Sequence, residues 1–174
     1  MFVPILETER LLLREHRKQD LPDYATLWAD PVVVRHTAGL PQTEEESWRR
    51  VLMARGHWAV NGYGYWVLED KATGKLAGEA GFAEFHRALK PSLNGMPEIG
   101  WILASPLHGK GLATEAVRAI HAWGDANFSG VRTCCIISPE NEASIRVAEK
   151  TGYHEVAHTL YREHPIIVFH REPQ

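Results

Sequence analysis

A strand, a glycine-rich loop and a helix follow one another in the middle of this chain, and together they limit the available folds more than any other segment. Residues 98–103 (EIGWIL) are apolar on both faces of an extended strand, which is typical of the centre of a sheet. The loop LHGKGLAT follows, and from Leu112 to about residue 128 apolar residues recur with helical spacing. A buried strand that leads directly into an amphipathic helix indicates an α/β domain.

The loop predicts a binding site for an anion. Gly109 and Gly111 allow the backbone to turn tightly, and the N–H groups at a helix N-terminus favour a phosphate. Lys110 adds a cation beside them. The alternative is a glycine turn that binds nothing. A Walker A motif is absent, and the third small residue and ribose-binding acid of a dinucleotide fingerprint are missing, which disfavours a nicotinamide-dependent oxidoreductase.

The rest of the pattern alternates between strands and helices. Helices are predicted over 20–30, with Asp20 as N-cap, over 43–61, with Thr43 and Glu46 as a capping box, and over 141–150. Strands are predicted over 10–16, 63–69, 75–85, 131–137, 153–160 and 166–169. The order β-α-α-β-β-β-α-β-α-β-β is that of a mixed α/β domain.

Length and composition narrow the class of protein. The 174 residues are predicted to form a single domain, residues 1–174, and the net charge of −3 argues mildly against a nucleic-acid partner. Cys134 and Cys135 are adjacent, which suits neither a mutual disulfide nor a metal site, so a cytoplasmic location is expected. No signal peptide is recognised and no apolar run approaches the ~20 residues of a membrane span, so no membrane partner is expected.

Two further motifs accompany the loop: LETERLLLR at residues 6–14 and NEASIRVAEKTGY at residues 141–153. The loop and its continuation, HGKGLATEA, are similar to the R/Q-x-x-G-x-G/A loop of GNAT acetyltransferases, with His108 in place of the usual Arg or Gln. The second motif resembles the N-x-x-S…EK-x-G-[FY] segment of that superfamily. The first resembles the L-x-T-x-R-L-x-L-R opening of its RimJ/RimL-like branch.

This resemblance implies a fold and a co-substrate. The fold is a mostly antiparallel twisted sheet of about seven strands, flanked by about four helices and splayed between its fourth and fifth strands, here 98–103 and 131–137. The co-substrate is acetyl-CoA, and no metal is expected. The residues expected to bind acetyl-CoA are Trp101, Ile102, Leu103, His108, Gly109, Lys110, Gly111, Leu112, Ala113, Thr114, Asn141 and Ser144.

Two catalytic residues are implied by the same resemblance. Glu98 is the candidate general base, acting directly or through water, and His86 is a second candidate; the alternative for Glu98 is a carboxylate that neutralises a neighbouring Arg or caps a backbone group. Many GNAT enzymes protonate the leaving thiolate with a Tyr, but Ala148 stands at that position here. Ser144 is the expected substitute; the alternative is a helix first-turn residue beside an Asn141 N-cap. Cys134 and Cys135 are expected to pack in the core, because direct transfer needs no nucleophilic side chain.

The acceptor is predicted only as a primary amine, either a protein or peptide N-terminus or a small amine. Trp48 on the second helix and His86 after the third strand are candidate acceptor-site residues. The loop 86–97 is the candidate lid. The sequence leaves open whether the protein forms a homodimer. The alternative function is a non-catalytic acyl-CoA-binding regulator on the same fold, favoured by Ala148 and by His108.

Overall fold

A computed structural model describes residues 2–173. Within them, eight strands and five α-helices form, together with two short 3-10 helices at Lys18–Asp20 and Ser105–Leu107. In chain order the elements are β1 (Leu6–Glu7), β2 (Leu11–Arg14), α1 (Leu21–Ala29), α2 (Pro31–Val34), α3 (Glu44–Asn61), β3 (Tyr65–Asp70), β4 (Leu76–Ala83), β5 (Glu98–Leu103), α4 (Leu112–Asn127), β6 (Thr133–Ile137), α5 (Glu142–Lys150), β7 (His154–Tyr161) and β8 (His164–Arg171).

The strands form one sheet in the order β1-β2-β3-β4-β5-β6-β8-β7. Every neighbouring pair is antiparallel except β5 and β6, which are parallel and align at a single pair of residues, Glu98 and Cys134. Beyond that pair the two strands separate. The expected splay therefore lies between the segments for which it was predicted.

Helices cover both faces of the sheet. Because neighbouring strand residues point to opposite faces, β5 contributes to two apolar clusters. Ile99 and Leu103 pack in the large cluster with residues of α4, and Ile102 packs with residues of α1, α2 and α3. No helix within residues 2–173 is long and apolar enough to cross a bilayer.

The sequence predicted the mixed α/β class and most elements, and three local differences have physical reasons. The pair Leu6–Glu7 adds an eighth strand that is too short to show alternation. Pro31 ends α1 as expected, but it also opens α2, because proline suits the first turn of a helix and Asp30 accepts a hydrogen bond from the Val32 N–H (2.8 Å). Asp20 makes no side-chain capping bond to α1.

The predicted capping box of the second long helix is confirmed. Thr43 accepts from the N–H of Glu46, and the Glu46 carboxylate accepts from the N–H of Thr43.

The Asp20 carboxylate, which does not cap α1, binds the buried Arg14 with two oxygen–nitrogen distances of 2.8 Å. An arginine only six residues earlier thus binds the carboxylate that the sequence assigned to the cap of α1, and the Arg17 N–H donates to the same carboxylate (2.7 Å).

Candidate functional site

The loop after β5 has the geometry of an anion cradle. Gly109 and Gly111 both have left-handed φ angles, 74° and 78°, a region that favours glycine. Gly111 is the N-cap of α4 and provides no side-chain cap. Within residues 2–173, none of the six backbone N–H groups of residues 109–114 has a hydrogen-bond partner, whereas the next one, of Glu115, donates to the Gly111 carbonyl (3.1 Å). This row of free donors suits a diphosphate.

His108 fixes the loop to the strand that precedes it. Its Nε2 lies 2.8 Å from the Leu103 carbonyl oxygen. A carbonyl only accepts, so Nε2 carries the proton and donates. The residue that departs from the family pattern therefore holds the loop through a side-chain contact of its own.

A cleft opens where β5 separates from β6. The two strands are joined near their first residues, where the Cys134 N–H donates to the Pro97 carbonyl (3.1 Å). Further along β5, Gly100 and Trp101 are partly exposed, while Glu98, Ile99, Ile102 and Leu103 are buried. Partial exposure in the middle of an interior strand means that neighbouring strands and helices leave this part of the sheet uncovered. Gly100 and Trp101 are therefore the floor of a cleft.

The structure brings three of the expected binding residues together across this cleft. Trp101 donates from its indole Nε1 to the Ser144 hydroxyl (3.2 Å), which connects β5 to α5. The Ser144 N–H donates to the side chain of Asn141 (3.2 Å), which caps α5. Ser144 thus takes part in the helix first turn through its N–H and faces the cleft with its hydroxyl.

Glu98 lies at the joined end of the cleft in a buried ion pair. Both its carboxylate oxygens accept from Arg87, from Nε and from Nη2, each at 2.8 Å. The guanidinium also stacks over Phe85 and Tyr161, at 4.3 and 4.9 Å from the ring centres. Burial alone would lower the pKa of Arg87, but the hydrogen bonds and charge of Glu98 raise it above its ordinary value. The arginine that the alternative interpretation of Glu98 required is therefore present.

Tyr65 is a residue of the cleft that sequence analysis missed. Its hydroxyl occupies the space above Gly100, since a Cβ built there would lie 2.1 Å from the hydroxyl oxygen. Burial, with the charges of Glu98 and Glu79, raises the pKa of Tyr65 well above its ordinary value. The hydroxyl has no hydrogen-bond partner in the described part of the chain. Gly100 inside an apolar strand was the available signal, because glycine there marks a close approach.

The two candidate acceptor residues, Trp48 and His86, line two different depressions. His86 is exposed, with Nε2 3.5 Å from a carboxylate oxygen of Glu84, and it borders a small depression that Arg87 and Glu98 also line. Trp48 lines a separate open depression on the surface, formed by Lys18, Leu21, Glu44, Glu45 and Trp48. Only His86 is thus near the candidate base.

The cysteines are buried free thiols. Burial raises the pKa of Cys134 to about 12 and raises that of Cys135 well above its ordinary value, so both are thiols at neutral pH. This agrees with the expected packing role. Across residues 2–173, no three His, Cys, Asp or Glu side chains cluster closely enough to hold a metal ion.

Comparison with known proteins identifies the family. The model of the acetyltransferase (GNAT) domain matches residues 10–154. The chain therefore belongs to the GNAT acetyltransferase family. It is 31% identical over 170 residues to YkkB of Bacillus subtilis (strain 168), an uncharacterized protein, with 96% of this chain and 95% of YkkB covered.

Solved structures agree with this assignment. An acetyltransferase from Agrobacterium tumefaciens str. C58 superposes with a TM-score of 0.82 at 26% identity, covering 98% of this chain and 95% of that one. The ribosomal alpha-N-protein acetyltransferase RimL, solved in complex with coenzyme A, superposes with a TM-score of 0.79 at 16% identity, covering 97% and 98% of the two chains. The likeness to RimL shows the fold alone.

Proposed function

We propose that this protein transfers the acetyl group of acetyl-CoA to a primary amine by direct attack in a ternary complex. The observation that carries the proposal is the row of six free N–H groups in residues 109–114, placed at the end of the strand that borders the cleft. Membership of the GNAT family agrees with it.

The residues present fit acetyl-CoA. The N–H groups of residues 109–114 would bind its diphosphate, with Lys110 beside them. The backbone of Trp101, Ile102 and Leu103 and the side chain of Asn141 would hold the pantetheine arm in the cleft. Acetyl-CoA supplies an activated thioester, and the chain positions it, shields it from water and stabilises charge.

We assign the thioester and the amine to opposite faces of β5. Trp101 and Gly100 are neighbours on β5, so their side-chain directions are opposite. Trp101 contacts Ser144 on α5. We therefore assign the thioester sulfur to that face, where the Ser144 hydroxyl would donate to the leaving thiolate. The amine would arrive from the opposite face, which carries Tyr65 and Glu98.

Glu98 remains the proposed base, with one condition set by the structure. Both its oxygens accept a hydrogen bond from Arg87, so an acceptor ammonium would share the carboxylate with the guanidinium. We propose that the acceptor is a protein or peptide N-terminus or a small amine, as expected for the RimJ/RimL-like branch. We further propose that residues 1–174 form one cytoplasmic domain, with a homodimer left open.

A non-catalytic acyl-CoA-binding regulator is the second candidate. Two observations favour it: Ala148, which is buried and cannot donate a proton, stands at the usual Tyr position, and both carboxylate oxygens of Glu98 already accept from Arg87. Both functions require acetyl-CoA binding, and only the first releases coenzyme A faster when an amine is present.

Turnover separates the two candidates. Thiol release from acetyl-CoA is followed with a chromogenic disulfide across a panel of peptide N-termini, polyamines, amino acids and aminoglycosides. The transferase predicts release that depends on one class of amine. Binding of acetyl-CoA with no stimulated release by any amine supports the regulator.

Variants then test the catalytic residues. Ser144→Ala is expected to lower kcat with little effect on binding, and Ser129→Ala, an exposed serine at the far end of α4, serves as its control. Glu98→Gln removes a base but also leaves Arg87 unpaired. The double variant Arg87→Met/Glu98→Gln removes both charges. Activity restored in the double variant would refute Glu98 as the base and leave it a structural partner.

A further inference from the structure

The residues after β1 reach across to the start of α4. The Thr8 hydroxyl donates to a carboxylate oxygen of Glu115 (2.6 Å), and the Arg10 backbone N–H donates to the same oxygen (2.8 Å). The other oxygen accepts from Arg10 Nε (2.7 Å) and lies 2.6 Å from Nη2. More than a hundred residues separate these partners in the chain, so the fold alone brings them together.

The same guanidinium also holds the anion loop. Arg10 Nη1 donates to the carbonyl oxygen of Lys110 (2.9 Å). In a trans peptide the C=O and the following N–H point in opposite directions. When Arg10 holds the Lys110 carbonyl, the N–H of Gly111 is turned away from Arg10, to the side where a diphosphate would bind.

The loop has few other restraints. Gly109 and Gly111 have no side chains, and a Cβ at Gly109 would meet no atom of residues 2–173 within 4 Å. At Gly111 the near neighbour would be Arg10 Nη2, at 3.7 Å. Apart from the contact of His108 with β5, the described side chain that orients this loop is therefore Arg10.

Glu115 needs a partner for an electrostatic reason. It lies in the first turn of α4, where its negative charge would repel an anion bound at the N–H groups. Thr8 and Arg10 occupy both its oxygens and balance its charge. Burial alone would raise the pKa of Glu115, but the hydrogen bonds from Thr8 and Arg10 lower it, so this carboxylate stays ionised at neutral pH.

We propose that Thr8 and Arg10 are positioning residues for acetyl-CoA, acting through Glu115 and the Lys110 carbonyl to aim the loop N–H groups at the diphosphate. This rests on the proposed function of the loop. It also gives a role to the opening motif LETER at residues 6–10, which lies outside the cleft.

The test measures coenzyme A binding by calorimetry in the wild-type protein and in Arg10→Met, Thr8→Val and Glu115→Gln. Arg10→Met is expected to weaken binding about tenfold, the equivalent of one charge-assisted hydrogen bond. Thr8→Val should weaken it less. Arg49→Met, which removes an exposed arginine paired with Glu45 on α3, is the control for a lost positive charge and should leave binding unchanged.

Glu115→Gln distinguishes positioning from simple attraction. It removes a negative charge near the anion, so attraction alone predicts tighter binding. Positioning predicts weaker binding, because Arg10 loses its anchor and releases the Lys110 carbonyl. The double variant Arg10→Met/Glu115→Gln should bind no more weakly than Arg10→Met alone. In kinetics the KM for acetyl-CoA should rise in these variants while kcat at saturation is kept.

The outcomes separate the two proposals. If the wild-type protein binds coenzyme A and Glu115→Gln binds it equally well or more tightly, the positioning role is overturned and the proposed function stands. No binding of coenzyme A by the wild-type protein overturns both. Circular dichroism of each variant shows whether it is folded; if Arg10→Met is unfolded, Thr8→Val and Glu115→Gln carry the same decision.

Discussion

Replacing Gly100 with alanine tests the packing of Tyr65 on the cleft floor. The new Cβ would lie 2.1 Å from the Tyr65 hydroxyl oxygen and 3.1 Å from Cζ, so the ring has to move. Overpacking of this kind costs about 1–3 kcal/mol, and we expect Gly100→Ala to lower the free energy of unfolding by about 2 kcal/mol. The same displacement would disturb the acceptor side of the cleft.

A second substitution shows whether the hydroxyl is the cause. Tyr65→Phe removes the atom in the shortest contact, and because that hydroxyl has no partner in residues 2–173, the single change should alter stability by less than about 0.5 kcal/mol. In the double variant the 3.1 Å contact with Cζ remains, but it can relax by a small shift. We expect the two substitutions to be coupled by about 1 kcal/mol.

The assay is urea denaturation followed by tryptophan fluorescence. Gly56→Ala is the matched control: Gly56 lies inside α3, where a Cβ would meet no described atom within 4 Å, so alanine should stabilise by about 0.5–1 kcal/mol. If Gly100→Ala is as stable as the wild type, or if Tyr65→Phe gives no relief, the placement of Tyr65 over the strand is wrong.

Three further predictions concern polar side chains with structural roles. Burial, with the charge of Arg171, lowers the pKa of His121 to about 3, so the imidazole is neutral in the folded state, whereas the unfolded chain protonates it below its ordinary pKa. The free energy of unfolding should therefore fall from about pH 6.5 toward pH 3 by up to about 1.4 kcal/mol per pH unit. His121→Gln should reduce that slope in urea denaturation measured across the same pH range. Asn141→Ala should cost about 1 kcal/mol by removing the cap of α5, whereas Asn141→Ser should restore most of it, and equal melting temperatures for the two would contradict the cap. Asp20→Asn should lower the free energy of unfolding by about 3 kcal/mol, because it leaves Arg14 without a buried charged partner. A loss below about 1 kcal/mol in urea titrations would mean that the ion pair with Glu69 is enough to stabilise Arg14.

Local patterns in the sequence predicted what local chemistry determines. The glycines at 109 and 111, the apolar strand before them and the helix after them are adjacent in the chain, so the sequence predicted this strand–loop–helix arrangement. Asn141 as the cap of α5 follows from the same kind of signal.

The parts that were missed depend on contacts between distant segments. An arginine partner was the alternative expectation for Glu98, but the sequence did not identify it as Arg87, which lies in the loop before the strand. Tyr65 reaches Gly100 across an intervening strand, and Arg10 reaches Glu115 from the other end of the chain. Asp20 is a different case: its carboxylate binds Arg14, six residues earlier, and does not cap α1, so a nearby ion pair prevailed over the expected cap.

Thermal unfolding with and without acetyl-CoA tests the central claim most directly, since every binding and catalytic role proposed for residues 98–144 depends on that ligand. At about 100 times its dissociation constant, acetyl-CoA should add about 2.7 kcal/mol of stability and raise the melting temperature by several degrees, while NAD and ATP at the same concentration should not. A shift with NAD or ATP and none with acetyl-CoA would contradict the assignment of the loop and, with it, the proposed function.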